Sequence, residues 1–489
     1  MSRIGPSPQE LRHAFHEASD WVASYLEHVG ELPVLSRVTP GEIAAGLPQS
    51  VPTRGEPLEA ILKDIDRLIL PGITHWNHPA FFAYFGITGS GPGIVGELIA
   101  AALNVNAMLW RTSPAATELE QRTLQWVAEM LGLPATWFGE ITDTASASTL
   151  YALAAAREAA NLDIRERGMA GRSDLPPLAL YCSTQTHSSI DKAAIALGVG
   201  RRWTRHVDTD AEFRMRPDLL EHAIQADLAA GVKPLAVVAT VGTTSTTSVD
   251  PVPAVAEICQ RYGLWLHVDA AYGGAAAVVP SHRHVLAGCE CADSLVVNPH
   301  KWLLTPIDCS LLYTRRPDDL KQAFSLVAEY LRTDESGVIN LMDYGLSLGR
   351  RFRSLKLWMV IRAYGRDGLA EIIAGHIKEA QWLASQIDTT PGWERLAPVP
   401  FSTVCFRHVP TGTVDLEVHN AAIIGAVNAS GKAFLSHSKL NGQYAIRVAI
   451  GNQATAHGHV ARAWELLREA AGHLVLGKGI PSPGGRELG

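Results

Sequence analysis

Between residues 90 and 315 the chain alternates short, almost wholly apolar runs with amphipathic stretches, and this rhythm restricts the fold more than any other feature. The apolar runs occupy residues 178–183, 235–241, 264–268, 294–297 and 310–314. Stretches 148–161, 216–230 and 252–262 carry apolar residues at helical spacing. A strand that is apolar on both faces needs cover on both, and intervening helices supply it. The pattern predicts an α/β chain with a mainly parallel central sheet. Ligands of such sheets gather at the carboxyl ends of the strands.

The flanks read differently. Ser7, Pro8 and Glu10 form a helix-start signal, and Leu11, Phe15, Val22 and Leu26 give that helix one apolar face. A second helix is expected at 58–70, with Leu58, Ile61, Leu62, Ile65 and Leu68 aligned, stopped by Pro71 and Gly72. Two helices cannot bury enough surface to fold alone, so they must pack on the rest of the chain or on another subunit. Beyond a helical segment near 355–364, residues 402–407 and 444–450 alternate as half-buried strands and 455–472 reads as a helix. A smaller α+β unit is expected there, followed by a disordered Gly- and Pro-rich tail from residue 477.

Composition excludes several classes. The formal net charge of −7 offers no basic field for nucleic acid or anionic membrane, and no apolar run approaches the length of a bilayer span. Six sparse cysteines, several inside apolar runs, read as reduced thiols of a cytoplasmic protein. Cys289 and Cys291 lack a matching second pair, and Trp76 and Pro79 break any helical presentation of His75 and His78, so no metal site is expected.

Chemistry concentrates at strand ends. Asn298, Pro299, His300, Lys301 and Trp302 follow one apolar run, placing a lysine where burial lowers its pKa, as a Schiff-base lysine requires. Asp269 ends the preceding strand. A strand-end carboxylate and a lysine at the next strand end are the pair that pyridoxal phosphate needs: the lysine bonds its aldehyde carbon and the acid keeps its ring nitrogen protonated. Asp143, Thr144, Ala145, Ser146, Ala147, Ser148 and Thr149 lead into an Ala-rich helix and form a candidate phosphate cradle. Thr240 to Thr247 makes a second hydroxyl-rich turn, and His187 follows a strand where it could stack on a ring. Arg350, Arg351 and Arg353, interleaved with Phe352 and Leu355, read as structural ion pairs at a buried seam rather than a phosphate patch.

In this order, the motifs resemble those of the group II pyridoxal-phosphate-dependent amino acid decarboxylases, the aromatic-L-amino-acid decarboxylases in particular. The resemblance runs from about residue 58 to 467. It rests on His75-Trp76, Phe81-Phe82-Ala83-Tyr84-Phe85, the run from Ser113 to Glu120, His187-Ser188-Ser189, His267-Val268-Asp269-Ala270-Ala271-Tyr272, Asn298 to Trp302, and Gly349 to Lys356. It implies the aspartate-aminotransferase-like (fold type I) architecture. The expected organisation is an N-terminal helical dimerisation segment (1–88), a large cofactor-binding α/β domain (89–365) and a small C-terminal α+β domain (366–489). It also implies a homodimer with active sites at the subunit interface.

The resemblance assigns roles. Lys301 would hold the cofactor, Asp269 its ring nitrogen, and His187 would cover the ring. Ala145, Ser146, Ser294, Asn298 and His300 would hold the phosphate, with Thr244 and Ala271 against the ring. Trp76, Phe85, Thr88, Asn106, Met108 and Gly349 would surround the substrate. Relatives place a substrate-carboxylate contact just after Phe85; with Gly86, Ile87 and Thr88 here, that contact would be either missing or shifted to Thr88. Asn106 would pair with the substrate or merely with backbone. Tyr330, in a lid expected to be mobile, would protonate the α-carbon after carbon dioxide leaves. The expected reaction is decarboxylation of an aromatic L-amino acid (tryptophan, 5-hydroxytryptophan, Dopa, tyrosine or phenylalanine) to its amine. The alternatives are an oxidative aromatic aldehyde synthase and a decarboxylase of a small acidic amino acid.

Overall fold

The computed structural model describes residues 5–326, 335 and 337–475. Tyr330, most of the polar stretch after it and the terminal tail lie outside the described residues.

Seven strands form the central sheet: β1 (Phe138–Thr142), β2 (Leu178–Ser183), β3 (Thr204–Val207), β4 (Lys233–Thr240), β5 (Trp265–Asp269), β6 (Ser294–Val297) and β7 (Ser310–Thr314). Their order is β1-β7-β6-β5-β4-β2-β3. Neighbours from β3 through β6 pair in parallel, and only β7 runs against its neighbours. The expected mainly parallel sheet is present, and β2, β6 and β7 have the boundaries that the apolar runs suggest. β2, β4, β5 and β6 are buried almost throughout, as strands covered on both faces must be.

A second sheet is antiparallel, with β8 (Trp393–Arg395), β9 (Thr403–His408), β10 (Ser436–Leu440) and β11 (Gln443–Ala449) in the order β10-β11-β9-β8. The helices Leu416–Ala429 and His457–Val475 pack beside it, sharing an apolar core with Phe81, Phe82, Phe406 and Trp464. The helical segment expected near 355–364 is part of a longer element, Arg353–Thr389, broken by the left-handed Gly365 (φ 67°).

At the N-terminal end, Ser7 Oγ accepts the Glu10 N–H (3.2 Å) while Ser7 N–H donates to Glu10 (2.6 Å), and this capping box starts the helix Pro8–His28. That helix buries none of its residues, and Phe15 is 55% exposed. The second predicted helix is α-helical only over Leu58–Asp64, then widens over Ile65–Ile69 before Pro71 and Gly72 end it.

The arginine run does make ion pairs. Arg350 is buried against Glu120 (2.8 Å) and also donates to the Ile141 carbonyl (2.7 Å). Arg353 pairs with Asp308 (2.8 Å) and Arg351 with Glu97. Glu140, on β1 beside this pair, has a buried carboxyl oxygen without a partner among the described residues. Burial pushes its pKa up to about 8, Glu120 adds to the rise and Arg350 opposes it. Between the ordinary carboxyl value and about 8, the unfolded chain is ionised at this position and the folded chain is not. Folding stability through Glu140 is therefore complete at low pH and is lost as pH rises through about 8. Glu140→Gln should melt close to wild type near about pH 5 and at a higher temperature than wild type near about pH 8.5. Thermal unfolding at the two pH values checks this, and a gap that does not widen with pH would contradict it.

Candidate active site

Loops leaving the carboxyl ends of β1, β2, β4, β5 and β6 meet in a cavity of about 460 Å³. They bring Ala145 and Ser146, His187, Thr244, Asp269 and Ala271, and Asn298, His300 and Lys301 to its walls. Trp76, Tyr84, Phe85 and Ile87 close one side, and Ser436, His437, Ser438 and Arg447 from β10 and β11 close another. At φ 92° Gly242 makes the turn after β4, where an added Cβ would meet the Gly273 backbone at 2.8 Å. No side chain fits that approach.

Lys301 sits in the single helical turn Pro299–Trp302. Trp302 anchors this turn: it is fully buried, stacks on Tyr272 (4.6 Å between ring centres, 6° between planes) and donates Nε1–H to His376 Nδ1 (3.0 Å). Tyr272 stacks in turn on Phe85 (4.0 Å), and Lys301 Nζ lies 5.2 Å from the centre of the Phe85 ring. The lysine is half-buried and lines the cavity. Desolvation holds its pKa below the usual lysine value, Asp269 opposes that shift and Arg447 adds to it. A lowered pKa leaves more of the amine unprotonated at neutral pH, which is the form that attacks a carbonyl carbon.

Asp269 is the last residue of β5, and one carboxyl oxygen accepts the Ala271 N–H (3.1 Å). His187 Nδ1 accepts the Ser189 N–H (3.1 Å), so the neutral ring carries its proton on Nε2. Burial lowers the His187 pKa, Asp269 opposes, and Lys301 and Lys192 lower it further. A neutral imidazole therefore lines the cavity. His300 is neutral for a similar reason, its pKa lowered to about 4 by burial and by Lys301. Its Nδ1 accepts the Cys309 N–H (2.9 Å), which puts the proton on Nε2, 3.3 Å from the Asn298 amide. That proton needs an acceptor, so the facing amide edge is the carbonyl oxygen and the NH₂ turns to the cavity as a donor.

The helix expected from residue 148 begins at Ala145, after the extended N-cap Thr144. Ala145 and Ser146 are thus the first turn itself, whose N–H groups have no intrahelical partners and favour an anion.

Not every expected residue arrives. Ser294 does not line the cavity: it begins β6, at the far end from Lys301, and its buried hydroxyl is occupied by Trp265 Nε1 (2.9 Å) and His267 Nδ1 (2.9 Å). Thr88 is also absent from the walls; it is buried, its hydroxyl donates to the Gly451 carbonyl (3.4 Å), and Ile87 faces the cavity instead. Asn106, Met108 and Gly349 form their own cluster away from it. Asn106 Oδ1 accepts the Arg350 N–H (2.9 Å), so its oxygen pairs with backbone, and its Nδ2 lies 3.3 Å from Met108 Sδ. His75 and His78 are engaged by the Tyr25 hydroxyl (2.9 Å) and the Gly30 carbonyl (3.2 Å).

Arg447 was not expected. Its guanidinium donates to the carbonyls of Ser245 (3.0 Å), Thr244 (3.1 Å) and Tyr84, lies 4.6 Å from the Phe85 ring centre, and forms no carboxylate pair among the described residues. The sequence signal was an arginine inside the otherwise apolar run of β11, where an unpaired charge is costly.

Residues 40–409 match the family model described as the pyridoxal-dependent decarboxylase conserved domain. The chain belongs to this family. The decarboxylase is 40% identical to a phenylacetaldehyde synthase of Arabidopsis thaliana, over 96% of this chain and 97% of that one. It is 41% identical to tyrosine decarboxylase 3 of Petroselinum crispum, over 96% and 93%. The crystal structure of Oryza sativa TDC with PLP and tryptamine superposes with a TM-score of 0.93 at 37% identity, covering 97% of this chain and all of that one. The enzyme is a pyridoxal-phosphate-dependent amino acid decarboxylase with the fold that its motifs imply.

The cavity of this decarboxylase fits the cofactor. An anion cradle at Ala145 and Ser146, an acid at Asp269 and an amine at Lys301 line a single space. Two buried polar groups on its walls, the Thr240 hydroxyl and one edge of the Asn298 amide, lack partners among the described residues. Such groups cost free energy until something polar meets them.

Proposed function

We propose that this decarboxylase acts on an aromatic L-amino acid and releases carbon dioxide and the corresponding amine. The observation carrying this reading is the meeting of Lys301, Asp269 and an acid-free Arg447 in one cavity walled by Trp76, Tyr84, Phe85 and Tyr272. A phenylacetaldehyde synthase, a tyrosine decarboxylase and a TDC with bound tryptamine have an aromatic side chain in common, which supports the substrate class. An aldehyde-forming outcome is the second reading, favoured by the 40% identity to the synthase.

When bound, pyridoxal phosphate offers an aldehyde to an amine and a protonated ring that accepts the electron pair left as carbon dioxide departs. Lys301 would hold it through its amine, and the same amine would take it back as the product leaves. Asp269 would keep the proton on the ring nitrogen, while neutral His187 would lie against the ring without adding a competing positive charge. Ala145, Ser146 and the Asn298 NH₂ hold the phosphate. Arg447, with N–H groups left over after its carbonyl contacts, draws in the substrate carboxylate. Tyr330, outside the described residues, would supply the proton to the α-carbon.

A homodimer belongs to this reading. Asn106 and Gly349 are exposed on their own chain and Met108 is half-buried beside them, so a second copy's cavity is where they would meet substrate. The apolar side chains of Val95, Leu98, Ile99 and Leu103 on the helix Gly91–Leu103, and Leu346 near Gly349, are exposed and support an interface between copies. No helix among the described residues is long and apolar enough to cross a membrane. The free, mostly buried cysteines support a cytoplasmic location.

Borohydride treatment of the yellow protein should fix the pyridoxyl group on the peptide containing Lys301, and a label on another lysine would refute the assignment. Substrate size is read at Gly349. A Cβ there meets only Asn106 Nδ2, at 3.9 Å, so Gly349→Ser is accommodated by its own chain. The variant should raise KM for indole substrates roughly tenfold more than for phenols, the scale of a pocket gaining or losing a small group. Equal effects on both, or a wild-type preference for glutamate or aspartate, would contradict the proposal.

A further inference from the structure

Thr240 ends β4 and is the register partner of Asp269 on the adjacent parallel strand β5. Partners in a parallel pair lie about 4.8 Å apart with their side chains on the same face. Both residues line the cavity. The backbone of Thr240 is held on both sides by Asp250: its N–H donates to the Asp250 carboxylate (2.8 Å) and its carbonyl accepts the Asp250 N–H (2.9 Å). Asp250 is itself fixed by the Met215 N–H (2.7 Å). Thr240 is therefore rigidly placed, only 3% exposed, and its hydroxyl has no partner among the described residues.

A valine would fill the same volume without that cost, so the hydroxyl calls for a polar use inside the cavity. Asp269 provides one. Its carboxylate takes the Ala271 N–H at one oxygen, and an ionised carboxylate has room for further donors beyond a ring N–H. The side chains nearest along the strand face are already committed: His267 is bonded to Ser294 and Thr149. Thr240 is a short, rigid donor beside the carboxylate on the neighbouring strand.

We propose that Thr240 is a positioning residue for Asp269: in the loaded enzyme its hydroxyl donates to the Asp269 carboxylate and fixes its orientation toward the ring nitrogen. This deepens the reading above and rests on the assignment of Asp269 to that nitrogen. The hydroxyl acts through Asp269, so its loss weakens cofactor holding and ring protonation without removing a group that touches substrate.

The test compares Thr240→Val, which keeps shape and removes the donor, with Thr240→Ser, which keeps the donor. Each protein is stripped of cofactor and titrated with pyridoxal phosphate, and its thermal unfolding is measured without cofactor. Thr240→Val should bind the cofactor roughly ten- to a hundredfold more weakly, the range for a lost hydrogen bond to a charged group. Without cofactor it should melt at or above the wild-type temperature, because an unpaired buried hydroxyl is gone. Thr240→Ser should recover most of the affinity. The visible absorption band of loaded Thr240→Val should also change with pH at a different midpoint from wild type. Unchanged affinity in Thr240→Val overturns the proposal. So does a joint loss of affinity and cofactor-free stability that serine does not restore, since that is the mark of a packing role. A wild-type borohydride label away from Lys301 would instead overturn the underlying functional reading, and it is scored separately on the unmutated protein.

Discussion

Asp269→Ala is expected to leave the protein able to capture pyridoxal phosphate on Lys301 while lowering kcat by about a thousandfold or more, which corresponds to ~4 kcal/mol of barrier. The carboxylate stands at the end of β5, held by the Ala271 N–H (3.1 Å) and facing the same cavity as Lys301. On the proposed reading it would stabilise positive charge on the ring nitrogen, and without it the ring would accept the electron pair of the departing carboxyl group far less readily. On the same reading capture would depend on the lysine amine and the phosphate cradle, so it should survive the change. Asp269→Asn separates charge from shape: the amide can still accept a hydrogen bond but carries no charge, and its rate should fall nearly as far. Single-turnover release of carbon dioxide, measured beside borohydride labelling of the same samples, reads the two effects apart. An alanine variant within tenfold of wild type would move the essential acid elsewhere.

Tyr330→Phe is expected to change the product rather than only the rate. Wild type should release amine, with the phenol giving its proton to the α-carbon after carbon dioxide leaves. A phenylalanine gives none, and oxygen reaches that carbon instead. The overall reaction then becomes amino acid plus oxygen plus water, giving aldehyde, carbon dioxide, ammonia and hydrogen peroxide. Oxygen is reduced to peroxide while the amine carbon is oxidised to the aldehyde level. That relatives at about 40% identity include both a tyrosine decarboxylase and an aldehyde synthase is consistent with a small change deciding the outcome. The amine-to-peroxide ratio for the two proteins is the deciding measurement, and equal ratios would remove Tyr330 from the mechanism.

Much of this molecule was legible along the chain, because the physics involved is local or periodic. Burial on both faces forces continuous apolar runs, so β2, β6 and β7 could be bounded from sequence, as could the helix Val252–Tyr262. Strands outside that rule were missed. β1 carries Gly139 and Glu140, and β3 is an edge strand with Arg205 and His206, so neither shows an unbroken apolar run. Lys301, Asp269, His187 and Asn298 were marked for a related reason: chemistry at a strand end sits within a few residues of a recognisable run, whereas Ala145 was marked by the Ala-rich helix that it leads into.

Only the tertiary structure decided which of the named residues share a space. Ser294 lies one strand length from Lys301 although few residues separate them along the chain, because an extended strand carries it about 3.3 Å per residue away from the cavity. Ile87 rather than Thr88 reaches the cavity because the Thr88 hydroxyl is drawn to the Gly451 carbonyl of the neighbouring chain segment. Arg447 reaches the cavity from β11 of the second sheet, and Asn106, Met108 and Gly349 stay outside it on their own chain. No spacing along a chain encodes such meetings. They depend on how two sheets and their covering helices pack, a property of three-dimensional contact rather than of neighbouring residues.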